Sequence, residues 1–214
     1  QYYTKGLERG DYYLDGQELP GMWGGKGSRM LGLSGEVTQN DYFALCDNQH
    51  PQTGEQLTPR MKDNRRVGYD FTLSAPKSVS ALYELTGDER ILSVFHDAVD
   101  NLMRDAETEM KTRLRANGAN EDAVTGNMTW ARFTHFTARP VDGLPDPHLH
   151  SHVFVFNVTH DGKEWKAGQF GDLKRDAPNL EAKFDAWLSH GLNALGYGTE
   201  RRGLSFEIAG VDQA

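Results

Sequence analysis

Residues 66–74 alternate strictly between apolar and polar side chains. Val67, Tyr69, Phe71 and Leu73 fall on one face, and the residues between them fall on the other. A period of two is the signature of a half-buried β-strand. The pattern therefore predicts a strand over 66–74.

Helical patterns follow this strand. Pro76 stands where a helix begins, and Val79, Leu82 and Tyr83 supply its short apolar face. A long amphipathic helix is predicted from Asp88 to Asn117, where Asn117-Gly118 would end it. Its predicted inward residues are Leu92, Phe95, Val99, Leu102, Ala106, Met110 and Leu114. A final helix is predicted from Pro178, packing through Leu180, Phe184, Trp187, Leu188, Leu192 and Leu195.

The remaining pattern predicts further strands, at 129–136, 149–158, 164–168 and 203–208. His160-Asp-Gly-Lys163 is a hairpin turn signal between the second and third of these. Gly21–Gly27 is interpreted as a plain turn, because its spacing fails to match a phosphate-binding loop. Hairpin-connected strands with helices between them predict an α+β fold: a mainly antiparallel β-sheet with flanking helices.

Composition bounds the class of protein. The 214 residues fit a single domain, and no apolar run approaches the ~18 residues of a membrane span, so no membrane insertion is expected. The single cysteine, Cys46, is typical of a reducing cytoplasm. The net charge of −8 argues against nucleic-acid binding unless basic residues cluster locally. Two such clusters are Arg60, Lys62, Arg65 and Arg66, and Lys163, Lys166, Lys174 and Arg175.

Three histidines within five residues, His148, His150 and His152, are the strongest chemical signal. Side chains alternate along a strand, so the three share one face. The plain alternative is a run of half-exposed histidines. On a regular strand the outer two would stand roughly 13 Å apart, too far for one ion. His135 on the preceding predicted strand is a better third ligand, which favours His135, His150 and His152 and leaves His148 as an outer or DNA-facing residue.

A site of three neutral imidazoles keeps the full charge of a divalent cation and leaves coordination positions open. It suits polarisation of a phosphate or carbonyl oxygen better than a closed structural role. The identity of the ion stays open among Mg²⁺, Mn²⁺ and Zn²⁺.

Two tyrosine pairs, Tyr2-Tyr3 and Tyr12-Tyr13, stand in an irregular polar segment. Taken alone, the pairs are better explained by chance or by a stacking surface than as nucleophiles. Beside a metal site, a phenol becomes a candidate nucleophile, since it is weak until a metal-bound phosphate or a base assists it.

Taken together, these elements resemble the MobF-class conjugative relaxases within the HUH endonucleases. The matching motifs follow the order of that family along nearly the whole chain. They are the two tyrosine pairs, Gly24–Gly27 with Leu31–Val37, Asp70-Phe-Thr-Leu-Ser-Ala-Pro-Lys-Ser-Val-Ser80, and His135-Phe-Thr-Ala-Arg139 leading to Asp146-Pro-His-Leu-His-Ser-His152.

The resemblance implies a role for each candidate residue. Tyr2 would cut single-stranded DNA at the transfer origin, leaving a 5′-phosphotyrosine, and Tyr12 would serve a second strand transfer. Tyr3 and Tyr13 would be supporting or alternative nucleophiles. Asp70 would orient a ligand histidine or assist deprotonation of a tyrosine. Lys77 and Arg139 would be weaker phosphate contacts, and His135, His150 and His152 match the family's ligands.

The resemblance also sets expectations for the whole protein. Residues 1–214 would form one nicking domain, trimmed at both ends, and a C-terminal helicase domain would follow in the full protein. Relaxosome accessory proteins and a secretion coupling protein would be its partners in a bacterial cytoplasm. A rolling-circle replication initiator and a three-histidine metal hydrolase remain alternatives, as does a non-catalytic DNA-binding module.

Overall fold

A four-stranded antiparallel sheet organises the structure, a computed structural model that describes residues 19–59, 65–116, 119–138 and 145–211. Its strand order is β1-β5-β6-β2. The four strands are β1 (Met22–Gly24), β2 (Gly68–Ser74), β5 (Trp130–Thr137) and β6 (Pro147–Phe156). The sheet confirms the predicted strands at 66–74, 129–136 and 149–158, and the architecture confirms the predicted α+β class.

Three helices cover one face of this sheet, and apolar residues from both layers form the larger core. Phe95 and Phe184 meet edge to face there, with ring centroids 5.8 Å apart. Asp88 caps the longest helix by accepting a hydrogen bond from the Arg90 amide. The three helices are α3 (Lys77–Thr86), α4 (Glu89–Thr108) and α6 (Ala177–Ala194).

The opposite face of the sheet carries a second core. Tyr42 is buried there against the rings of Phe133, Phe154 and Phe156. It lies on α2 (Gln39–Cys46), a helix that the sequence pattern did not predict; the short α1 (Lys26–Met30) precedes it. Only part of this face is covered by these helices, and the histidines occupy another part of it.

Short strands and one short helix complete the described structure. β3 (Lys111–Ala116), β4 (Ala119–Val124) and β9 (Gly168–Gln169) form a small antiparallel sheet. β7 (Thr159–His160) pairs with β8 (Trp165–Lys166), which confirms the predicted hairpin at 160–163. β10 (Thr199–Arg202) pairs with β11 (Ser205–Ile208), and α5 is Gly171–Arg175. None of the helices in the described ranges is both long and apolar enough to cross a bilayer.

The long helix predicted to reach Asn117 ends instead at Thr108. Residues 111–116 form a strand, in which buried Thr112 alternates with exposed Arg113. Met110 and Leu114 are four residues apart and so fit a helical face equally well. The period-two alternation of the strand is therefore the signal that the helical interpretation missed.

Two smaller predictions were also wrong. The segment Gly21–Gly27 is not a plain turn, because it contributes β1 and the start of α1. Its glycines allow close packing, since a Cβ on Gly24 would clash with the indole ring of Trp130. Trp187 was predicted to face inward, but it is 43% exposed.

Candidate metal and DNA-processing site

Three histidines lie together on the face of the sheet opposite α3, α4 and α6. In the antiparallel pairing of β5 with β6, His135 is directly opposite His150, and Phe133 is directly opposite His152. Because side chains alternate along each strand, His135, His150 and His152 point to the same side. The register thus produces the cross-strand grouping that the sequence predicted.

The three rings form a compact triangle. Their centroids are 5.3 Å apart for His135 and His150, 5.7 Å for His135 and His152, and 5.2 Å for His150 and His152. Zinc–nitrogen bonds of about 2.0–2.1 Å would place three coordinating rings roughly 5 Å apart. Among the described residues, however, no three His, Cys, Asp or Glu side chains already form a group able to hold an ion. The distances between the rings therefore match a site of three imidazoles, but the nitrogens of the rings do not yet converge on one point.

Hydrogen bonds select the tautomer of two of these rings. Nδ1 of His152 lies 2.8 Å from Oδ2 of Asp70, and Nδ1 of His150 lies 2.8 Å from the backbone oxygen of His148. A carboxylate and a carbonyl only accept, so each Nδ1 carries the proton and donates it. In the neutral rings the lone pair is then on Nε2, as in metal-binding histidines whose other nitrogen is held by an outer partner.

Asp70 is nearly buried at this site, with 13% of its side chain exposed. Its Oδ1 is buried without a hydrogen-bond partner in the described part of the chain, and Thr72 Oγ1 lies 3.4 Å from Oδ2. A buried carboxylate with an unsatisfied oxygen is costly unless a further partner binds there. The residues present therefore fit a site that takes up a cation or a proton donor.

His148 and Lys77 border the histidine triangle. The His148 ring stacks on the His150 ring, with ring centroids 4.5 Å apart. Burial lowers the pKa of His148, and the neighbouring charges of His150 and Lys77 lower it further. Lys77 reaches Asp146 and the backbone oxygen of Pro147, 3.4 and 3.3 Å away. This exposed pair joins the start of α3 to the start of β6.

The remaining predicted site residues, Tyr2, Tyr3, Tyr12, Tyr13 and Arg139, lie outside the described residues.

Three residues of the predicted basic clusters, all within the described ranges, already have partners in the structure. Arg65 is turned inward, where Nη2 donates to the backbone oxygens of Leu45 and Cys46, and burial lowers its pKa. Lys166 is paired with Asp161 and Glu164. Arg175 is likewise paired with Asp172.

A family model described as TrwC relaxase matches residues 1–214, the whole chain. The multifunctional conjugation protein TraI of Escherichia coli is 37% identical over 211 residues, covering 93% of this chain. This chain spans only 11% of the length of that relative.

Solved structures of the conjugative relaxase TrwC have the same fold. One, in complex with oriT DNA and with metal bound, is 30% identical, with a TM-score of 0.88 over 98% of this chain and 74% of that chain. Another, complexed with a 27-mer DNA comprising the recognition hairpin and the cleavage site, is 28% identical, with a TM-score of 0.86 over 98% of this chain and 73% of that chain.

Proposed function

Because the chain belongs to the TrwC relaxase family, we propose that it is a metal-dependent relaxase that nicks one strand of transfer-origin DNA. It would act on single-stranded DNA and remain joined to the 5′ phosphate through a tyrosine. The observation that carries this proposal is the triangle formed by His135, His150 and His152, with Asp70 hydrogen-bonded behind it. The TrwC structures of the same fold support it, one with oriT DNA and metal bound and one with a 27-mer DNA that includes the cleavage site.

The protein's own residues prepare the site for a cation. Asp70 and the backbone oxygen of His148 hold protons on Nδ1 of His152 and His150, which puts the lone pair of each neutral ring on Nε2, the nitrogen that would bind a cation. A bound divalent ion, with Mg²⁺, Mn²⁺ and Zn²⁺ all compatible, would polarise the scissile phosphate and offset charge on its non-bridging oxygens.

The proposed reaction exchanges one ester for another. The phenolic oxygen of Tyr2 forms a bond to phosphorus while the bond from phosphorus to the 3′ oxygen breaks. The phenol gives up its proton, for which Oδ1 of Asp70 is our proposed acceptor, and the departing 3′ oxygen gains one. One phosphodiester bond is replaced by one phosphotyrosyl bond, so no nucleotide cofactor is consumed. Tyr12 would perform a second strand transfer, with Tyr3 and Tyr13 as supporting or alternative nucleophiles.

The DNA would lie along the histidine face. His148 and Lys77 border that face, and Arg139 follows His135 in sequence, so these three are proposed as contacts to the DNA backbone. The net charge of the chain, −8, is unfavourable for binding DNA because the phosphates are also negative. Recognition would therefore depend on local cations and on stacking of unpaired bases against aromatic rings.

The wider biology is also a proposal, since the chain covers a small part of its curated relative. In the full protein, a C-terminal helicase domain would follow the nicking domain. Relaxosome accessory proteins and a secretion coupling protein would be its partners in the bacterial cytoplasm.

The test is a covalent-adduct assay. The protein is incubated with labelled single-stranded DNA from its own transfer origin, with Mn²⁺ or with EDTA, and run on a denaturing gel. We expect a metal-dependent protein–DNA band that disappears in Tyr2→Phe, or in the double variant with Tyr3→Phe if the second tyrosine substitutes. Tyr197→Phe is the matched control. It also removes one phenolic hydroxyl, but that hydroxyl donates a hydrogen bond to Asp88 and has no proposed part in the reaction. Cleavage without any adduct would refute the proposal in favour of a hydrolase.

A further inference from the structure

A row of hydrogen-bonded side chains crosses from helix α4 into the sheet, on the side opposite the three histidines. Nε2 of His96 lies 3.0 Å from Oγ1 of Thr134, and Oγ1 of Thr134 lies 2.8 Å from Oγ of Ser151. Thr134 is 4% exposed and Ser151 is fully buried. The row thus connects α4, β5 and β6 through side-chain contacts alone.

The register places this row directly behind the histidine triangle. Thr134 pairs with Ser151, and this pair lies between the pair of His135 with His150 and the pair of Phe133 with His152. Neighbouring residues on a strand point to opposite faces. The two hydroxyls therefore lie between the histidine-bearing pairs on both strands. A change in the distance between the two hydroxyl oxygens would also change the distance between β5 and β6 at the histidines.

A second polar contact ties the same helix to the same strand. Nη1 of Arg132 lies 2.8 Å from Oδ1 of Asp100 and 3.3 Å from the backbone oxygen of His96. His96 and Asp100 are one helical turn apart, and Arg132 and Thr134 are two residues apart on one face of β5. The orientation of β5 against α4 is therefore fixed at two points.

The residues around this row of polar side chains are apolar. Phe95, Val99 and Val153 belong to the apolar core on the same side of the sheet, and each is fully buried. Two facing hydroxyls contribute little net stability there, because apolar groups of the same shape fill such a position nearly as well. Burial also lowers the pKa of His96 to about 4, with the charge of Arg132 contributing, so the ring is neutral near pH 7 and acts as a hydrogen-bonding partner.

The pairing of the strands becomes irregular immediately beyond this row. The register of β5 with β6 shifts between His135 and Thr137, so His135 opposite His150 is the last regular pair before the shift. A cross-strand tie just before an irregularity restrains the strand separation where regular pairing stops.

We propose that His96, Thr134 and Ser151 are positioning residues that set the distance between the histidine strands and thereby tune metal affinity and cleavage. This inference rests on the proposed function, since it concerns the same metal site. None of the three would touch the cation or the DNA. Their effect is transmitted through β5 and β6 to His135, His150 and His152.

The test compares the double variant Thr134→Val/Ser151→Ala with wild type and with Thr112→Val. The double substitution removes both hydroxyls together, so neither hydroxyl is left facing a lost partner, although Nε2 of His96 loses its contact with Thr134. Thr112 is an equally buried threonine on β3, whose hydroxyl donates to the backbone oxygen of Ala167, outside the sheet that holds the histidines. For each protein we would measure Co²⁺ affinity, the visible spectrum of bound Co²⁺, Mn²⁺-dependent DNA cleavage and the urea midpoint of unfolding.

We expect the double variant to bind Co²⁺ about tenfold more weakly or worse, with an altered spectrum, while its unfolding midpoint stays within the range of Thr112→Val. His96→Leu, changed at the helix end of the row, should shift affinity in the same direction, and His96→Gln should restore part of it. Unchanged Co²⁺ affinity in a folded double variant, or in His96→Leu if the double variant does not fold, would overturn the inference. Failure of wild type itself to bind metal or cleave DNA would instead refute the proposed function.

Discussion

Asp70 and His152 are joined diagonally across two strands, with Oδ2 of the aspartate 2.8 Å from Nδ1 of the histidine. The residue directly opposite His152 is Thr72, and Asp70 lies two positions further along β2. Diagonal neighbours of this kind are within reach of long side chains. Strand β2 thus supplies the group that fixes the protonated nitrogen of His152, a proposed metal ligand on β6.

This contact predicts the effect of removing the charge of Asp70. Asp70→Asn keeps the shape of the side chain but weakens the acceptor that holds the His152 ring. We expect metal affinity to fall about 10–100-fold, as for other outer partners of ligand histidines, with the fold intact. Isothermal titration with Mn²⁺ measures it. Thr72→Val removes two longer contacts, 3.3 Å to the same ring and 3.4 Å to Oδ2 of Asp70, and should change affinity much less. Equal losses in the two variants would contradict the role assigned to Asp70.

The position of His148 separates two possible ligand sets. Its ring stacks on that of His150, whereas the triangle is formed by the rings of His135, His150 and His152. We expect His148→Ala to keep metal affinity within about threefold, and alanine at His135, His150 or His152 to lower it on the order of a hundredfold or more. Equilibrium dialysis with Co²⁺ distinguishes these outcomes. Loss of binding in His148→Ala, with binding retained in His135→Ala, would mean that β6 supplies all the ligands.

A buried carboxylate makes a prediction about stability. Oε1 of Glu107 accepts hydrogen bonds from the backbone amides of Lys26 and Met128, 2.6 and 2.9 Å away, and the residue is 2% exposed. Glu107→Ala leaves these donors without their acceptor and should lower the free energy of unfolding by about 2–4 kcal/mol. Urea denaturation measures this loss. The exposed neighbour Glu109→Ala should stay within about 0.5 kcal/mol of wild type; an equal effect at both sites would show that these contacts stabilise nothing.

Acid should reveal the buried state of His96. Burial lowers its pKa from 6.5 to about 4, so below pH 6.5 the unfolded chain binds a proton that the folded chain does not. Above pH 6.5 His96 is neutral in both states and its burial takes nothing from the free energy of unfolding. As the pH falls from 6.5 towards 4, the free energy of unfolding decreases by up to about 3 kcal/mol.

His96→Gln should therefore have a flatter dependence of stability on pH between 6.5 and 4 than wild type. Urea unfolding at several pH values in that interval gives the comparison. Because the other histidines are common to both proteins, the difference between the two curves isolates His96. Parallel curves would show that His96 titrates alike in the folded and unfolded states.

Much of the histidine site could be predicted from the sequence because its causes are local. Alternation along β5 and β6 fixed which side chains share a face, and the reach argument selected His135 over His148. The structure places His135 directly opposite His150 and stacks His148 on His150, and which of these histidines bind a metal stays a prediction. The contact of Asp70 with His152 was suggested only through family resemblance, since the register between β2 and β6 leaves no periodic trace in either strand.

The missed features depend on tertiary contacts. His96 lies beside Phe95 on an amphipathic helix, and only the approach of β5 shows that it meets Thr134. Likewise, Met110 and Leu114 fit a helical face, but the chain pairs 111–116 with β4 and β9 instead. Local patterns therefore identified most elements, whereas packing decided where α4 ended and which polar residues became buried partners.

The most direct test of the metal site is anomalous diffraction from crystals of the protein soaked in Mn²⁺. The account predicts one strong peak on the histidine face, within about 2.0–2.3 Å of a nitrogen of each of His135, His150 and His152, with no bond to His148. A peak that is absent, or that lies on His148 without His135, would contradict a cation held between the two strands.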